Sequence, residues 1–227
     1  MGDGYGSECH LLRFLGRHRE RFNELVSGEI GADAVRWLDF HFDRTKRWKD
    51  GERKGLDFLG GHPALKAWAS FWPSQGNPPN WDAVGEATFQ GRNEWLLVEA
   101  KAHIGELVSN CQAREGSGLS TITKALERAK NALGVSPDRD WLHRHYQFAN
   151  RLTILNFLHE NGVGARLLFV YFVGDSFDKS ATRNTECPKD KAGWKTALSE
   201  QAQWLGLDKM HPLSNYVHEL FVPVVMD

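Results

Sequence analysis

The chain has 227 residues, 41% hydrophobic and 25% charged, proportions that exclude a wholly disordered, collagenous or coiled-coil protein. At about 1.5 times a typical domain length, it reads as one domain over 1–227 with ample material for a core. Lys and Arg number 28 against 29 Asp and Glu, so a net charge of −1 leaves any polyanion partner to a local patch.

Nine tryptophans are unusual, and several fall between 37 and 95; most are expected in the core, some as stacking surfaces. Three widely spaced cysteines, Cys9, Cys111 and Cys187, form no CxxC pair, which argues against a disulfide framework and a cysteine-rich zinc site. No apolar stretch approaches the roughly 20 residues of a membrane span. The expected setting is the reducing cytoplasm, away from any membrane, with the oligomeric state left open.

In chain order, Leu11, Leu12, Leu15, Phe22, Leu25 and Val26 recur at helical spacing and predict an amphipathic helix over 10–26. Residues 35–43 fit strand or helix. Residues 44–54 form a basic loop or hairpin tip, with six Lys or Arg against two acids. Residues 73–80 are a loop by composition. Two strands, 81–89 and 94–101, flank a turn at 91–93 and make a hairpin. Helices follow at 119–133 and 140–161, with Ser136-Pro137-Asp138 as the break between them. The apolar run 166–173 between Gly164 and Gly174 reads as a strand buried on both faces. A helix over 191–205 and a strand over 220–225 complete an α/β chain.

The chemistry concentrates in the hairpin. Asp82 opens its first strand, and Glu99-Ala100-Lys101 closes its second. Residues two apart on a strand share a face, so Glu99 and Lys101 project together with Trp95 and Leu97. Burying such charges costs several kcal/mol unless they are paired or ligate a metal. Two carboxylates from neighbouring strands offer hard oxygen ligands for Mg²⁺ or Mn²⁺. A lysine beside them can hold an attacking water or meet developing negative charge. The alternative is a surface ion pair at a strand end.

Asp82 with Glu99-Ala100-Lys101 at the end of an apolar strand resembles the PD-(D/E)XK signature of restriction-endonuclease-like nucleases. The motif covers about 80–103, and the order helix, hairpin, helix, strand extends the likeness over 10–173. Trp81 stands where the family often has Pro, with Pro78 and Pro79 just upstream. The resemblance implies a mixed central sheet flanked by helices and a divalent-metal-dependent nuclease, expected to act on DNA through a metal-activated water. It makes Asp82 and Glu99 metal ligands, lets the Ala100 carbonyl complete the site, and gives Lys101 the attacking water. It also suggests a first-helix glutamate, Glu24 or Glu29, and a polar residue from the later helix, with Gln147 first among the candidates. Both glutamates fit exposed helix positions equally well.

Arg44, Lys46, Arg47, Trp48 and Lys49 form the patch best suited to a phosphate backbone, or else a solvated hairpin tip. Lys124, Arg128 and Lys130 make a second basic set on the helix after the hairpin. His103 continues the Glu99 and Lys101 parity if the strand runs on, and otherwise begins the next loop as a partly buried histidine. His143 and His145, two apart, cannot chelate one zinc from a helix. Two other functions compete: a nucleic-acid-binding module that does not cut, and a metal-dependent hydrolase of another phosphate ester.

Overall fold

The computed structural model describes residues 6–38, 41–42, 50–74, 78–175 and 187–224. Two helices come first, α1 (Ser7–Arg17) and α2 (Arg19–Ile30). They replace the single predicted helix because the apolar stripe skips a repeat at His18-Arg19. There the His18 N–H turns back to the Arg13 and Phe14 carbonyls, and the chain bends. Strand β1 (Ala34–Trp37) follows, then the two-residue strands β2 (His41–Phe42), β3 (Asp50–Gly51) and β4 (Arg53–Lys54). Helix α3 (Ala64–Phe71) leads to β5 (Asn80–Trp81), which pairs with β4.

The predicted hairpin is β6 (Ala83–Phe89) and β7 (Arg92–Lys101). Its turn is tighter than expected: Gln90 and Gly91 both take positive φ, 49° and 78°, and strand pairing resumes at Arg92. Next come α4 (Ser117–Leu133), α5 (Tyr146–Glu160), β8 (Ala165–Val173), α6 (Lys191–Leu205) and β9 (Val217–Pro223). Helix α5 begins six residues later than predicted. The Asp140 carboxylate caps the amides of Leu142 and His143 in a local turn, and Arg144 sits at φ 64°.

Five strands form one mixed sheet in the order β1-β6-β7-β8-β9. The pairs β1/β6 and β6/β7 are antiparallel, whereas β7/β8 and β8/β9 are parallel. Helices flank both faces. On one, Leu11, Phe14, Phe22 and Val26 of α1 and α2 pack against Leu96, Val98, Ala100 and Phe172. On the other, α3 to α6 cover Leu97, Phe169 and Tyr171 with Ile122, Leu126, Leu155 and Trp194. Every side chain of α5 from Ala149 to Leu158 is buried, as befits a helix enclosed on all sides. No helix among the described residues is long and apolar enough to cross a membrane.

Candidate active site

Strand β7 is the middle strand of five, so its C-terminal end lies inside the protein. The period of two sends Leu96, Val98 and Ala100 to the α1/α2 face and Leu97 to the α5 face. Glu99 and Lys101 share the parity of Leu97, and both are buried, at 2% and 9% exposed.

Asp82 lies in the bend between β5 and β6. The β6–β7 ladder runs as far as Ala83 opposite Val98, and the Asp82 N–H still donates to the Val98 carbonyl at 3.1 Å. One step further, the Ala100 N–H donates to Asp82 Oδ2 at 2.7 Å, so a side chain takes over where the ladder stops. Trp81, fully buried, anchors this bend by donating its indole N–H to the Gly55 carbonyl at 2.8 Å. Trp81 thus pins the chain immediately before Asp82 into the core.

Helix α5 completes the arrangement. Lys101 Nζ donates to Glu99 Oε1 and, at 2.8 Å, to Gln147 Oε1. One turn on, Arg151 donates from Nε to Glu99 Oε2 at 2.9 Å, and its Nη2 lies 2.8 Å from the same oxygen as an ion pair. Its Nη1 reaches Asn150 Oδ1 at 2.8 Å, Nη2 also binds the Asn80 carbonyl, and the guanidinium lies 4.8 Å from the Trp81 ring centroid. Sequence reasoning gave Arg151 no role. The available signal was an arginine beside the largely apolar stretch 152–158, where a charge has to find a partner.

The two carboxyl groups are tuned in opposite directions. Burial and then the negative charge of Glu99 push the Asp82 carboxyl up to about 8, against the pull of Lys101, the Ala100 amide and Arg151. Glu99 is still more deeply buried, which alone would raise it; the charges of Arg151 and Lys101 prevail and hold it below the ordinary carboxylate value. Asp82 remains partly exposed because it lines a cleft of about 870 Å³, together with Asn80, Gln147, Asn150, Arg151 and Trp72. Asn80 Oδ1 is buried there without a hydrogen-bond partner.

Asp82, Glu99, Ala100, Lys101 and Gln147 are thus brought together, and Glu24 and Glu29 are not. Glu24 and Glu29 are exposed on α2, which covers the opposite face of the sheet. Arg44, Lys46, Arg47, Trp48 and Lys49 lie outside the described residues. His103 is partly buried where it begins a turn over Ile104–Leu107, and its backbone and side chain engage Glu106. The basic set on α4 does not form a phosphate-facing stripe. Arg128 pairs with Glu160 at 2.9 Å, and Lys130 is buried with Nζ on the Pro137 and Arg139 carbonyls, which leaves Lys124 exposed.

As a cation centre, the described residues hold no group of three or more His, Cys, Asp or Glu. The hard ligands are therefore Asp82 and Glu99, with neutral oxygens such as Asn80 Oδ1 and the Ala100 carbonyl. That donor set fits Mg²⁺ or Mn²⁺, which accept carboxylate, carbonyl and water oxygens. The raised Asp82 carboxyl and the unpartnered Asn80 oxygen are groups that a bound cation would satisfy. Comparison of the chain with protein-family models, curated proteins and solved structures finds no match.

Proposed function

We propose that this chain is a divalent-metal-dependent nuclease of the PD-(D/E)XK, restriction-endonuclease-like kind, hydrolysing phosphodiester bonds in nucleic acid, with DNA the first substrate to test. The order α2, β1, β6, β7, α5, β8 supports that reading, with an acid opening β6 and Glu-x-Lys closing the central β7. The single observation that carries it is the bond from the Ala100 amide to Asp82, which ties the two halves of the motif across adjacent strands beside an open cleft.

Each group has a chemical assignment. Asp82 and Glu99 would hold Mg²⁺ or Mn²⁺, with Asn80 and Ala100 oxygens available beside them. The ion would supply Lewis-acid polarisation of the phosphate and a more acidic water. Lys101 has three N–H donors and spends two on Glu99 and Gln147, so the third is left for an attacking water or a phosphate oxygen. Gln147 and Glu99 fix its direction, so its charge is already oriented when negative charge develops. The segment 44–54 is proposed as the contact to the phosphate backbone.

One observation favours a second reading, a nucleic-acid-binding module that does not cut. Both Glu99 oxygens already carry protein cations, an arrangement that is complete without a metal. The test is incubation with plasmid and with single-stranded DNA in Mg²⁺ or Mn²⁺, with and without chelator. Metal-dependent cleavage that chelator abolishes is expected. DNA binding without cleavage under every condition supports the second reading.

A further inference from the structure

Glu99 and Asp82 differ in what already occupies them. Glu99 Oε1 receives Lys101, and Oε2 receives the Arg151 Nε–H with Nη2 also 2.8 Å away. Arg151 is held there firmly. Of its five N–H groups, three donate, from Nε to Glu99, from Nη2 to the Asn80 carbonyl and from Nη1 to Asn150, and Nη2 also pairs with Glu99. Its side chain is 5% exposed, and Trp81 lies against the guanidinium. Asp82, by contrast, receives one backbone amide on Oδ2 and faces the cleft. Two residues upstream, Asn80 lines the same cleft with a buried Oδ1 that has no partner. A side-chain amide oxygen is a ligand that Mg²⁺ and Mn²⁺ accept.

Charge arithmetic points the same way. With Asp82 ionised, Asp82 and Glu99 contribute −2, and Lys101 and Arg151 contribute +2, so the centre is neutral before any metal binds. One divalent ion brings it to +2, which a phosphodiester can answer. A second brings it to +4, and two ions roughly 3.5–4 Å apart, as two-metal catalysis uses, would need Glu99 as well, which already holds two protein cations. Glu52, the other acid lining the cleft, is exposed.

We propose that this centre takes one divalent cation rather than two, bound by Asp82, Glu99 and the Asn80 side-chain oxygen, with Arg151 held on Glu99 Oε2 where a second cation would sit. The inference rests on the metal-dependent nuclease reading. Asn80 is then a ligand and Arg151 a positioning residue that sets the metal count.

The test is Mn²⁺ titration of the full chain without nucleic acid, by calorimetry and by the electron paramagnetic resonance signal of free Mn²⁺. One ion per wild-type chain is expected. Two ions of similar affinity would overturn the proposal and leave the nuclease reading standing; no binding by the folded wild type would overturn the nuclease reading itself. Asn80→Leu should weaken the single site by about tenfold or more, the scale on which supporting partners of a metal act, and Asn80→Asp should retain it. Unchanged affinity in Asn80→Leu removes Asn80 from the ligand set. Arg151→Gln, with its fold checked by circular dichroism, should admit a second ion, whereas Arg151→Lys should still bind one. A folded Arg151→Gln that binds one ion contradicts the role given to Arg151. If Arg151→Gln does not fold, the wild-type count and Asn80→Leu still decide the proposal.

Discussion

Lys101 and Lys130 are both buried, at 9% and 7% exposed, and they are held in contrasting ways. Lys130 reaches from α4 to the carbonyls of Pro137 and Arg139, at 2.7 and 3.2 Å, and so clamps the following loop to its own helix. Its partners are neutral backbone carbonyls, which do not titrate. Lys101 is held by a carboxylate and a side-chain amide from two different elements, next to an acid that lines a cleft. Burial of a lysine therefore says little by itself. What its N–H groups meet, and whether one is left over beside a cleft, separates a clamp from a candidate catalytic group.

The largest stability effect should come from the ion pair behind Lys101. Arg151→Ala strands the Glu99 carboxylate with one cation in place of two, and removing one partner of a buried pair costs about 3–5 kcal/mol. Urea denaturation checks this; a loss within experimental error would mean that Glu99 is far better solvated than its 2% exposure implies. A smaller loss is expected on the clamp side. Lys130→Ala leaves the Pro137 and Arg139 carbonyls without their donor, a cost of about 1–3 kcal/mol. DNA cleavage should be unchanged in that variant, and a fall in cleavage at full stability would erase the contrast with Lys101.

The smallest effect sharpens the comparison with a third base. His218 on β9 is pushed down to about 4, first by burial and then by Arg166, whose Nη1 lies 3.2 Å from its Nε2. Where Lys101 meets a carboxylate, His218 meets a cation, and it stays neutral in the folded chain. Between the ordinary histidine value of 6.5 and about 4 the unfolded chain takes up a proton that the folded chain refuses. Stability contributed here is thus present above pH 6.5 and lost as pH falls toward 4. His218→Gln should flatten the stability–pH curve in that window, as read from denaturation midpoints; an unaltered slope would show that His218 protonates freely in the fold.

The parts of this fold legible in the sequence are those with a strong local period. The alternation before Gly91 and the apolar run 95–98 after it mark β6 and β7, and the apolar run between Gly164 and Gly174 marks β8. The break between α1 and α2 was hidden because the apolar stripe resumes on the same face after His18-Arg19. The late start of α5 was hidden because Asp140 caps the amides of Leu142 and His143, a helix-start signal spent on a turn. The site divides similarly. Asp82, Glu99 and Lys101 follow from strand parity, a local property. Arg151, Asn80 and the clamp on Lys130 depend on contacts across 52, 71 and 7 residues, and periodicity carries no information about the longer ones. Glu24 and Glu29 looked equally suitable from sequence, because nothing local tells which face of the sheet a first helix covers.

The most direct test of the central claim is the initial rate of Mn²⁺-dependent cleavage of a labelled DNA by wild type and by Lys101→Ala, with Mn²⁺ binding measured on the same samples. Removing the ammonium takes a positive charge away from the centre, so the variant should bind Mn²⁺ as well as the wild type or better. Its cleavage should nonetheless fall by about 10²–10³, the usual loss when one group that stabilises developing charge is deleted. Cleavage at the wild-type rate by a folded, Mn²⁺-bound Lys101→Ala would contradict the assignment of catalysis to the Glu99-Ala100-Lys101 end of β7.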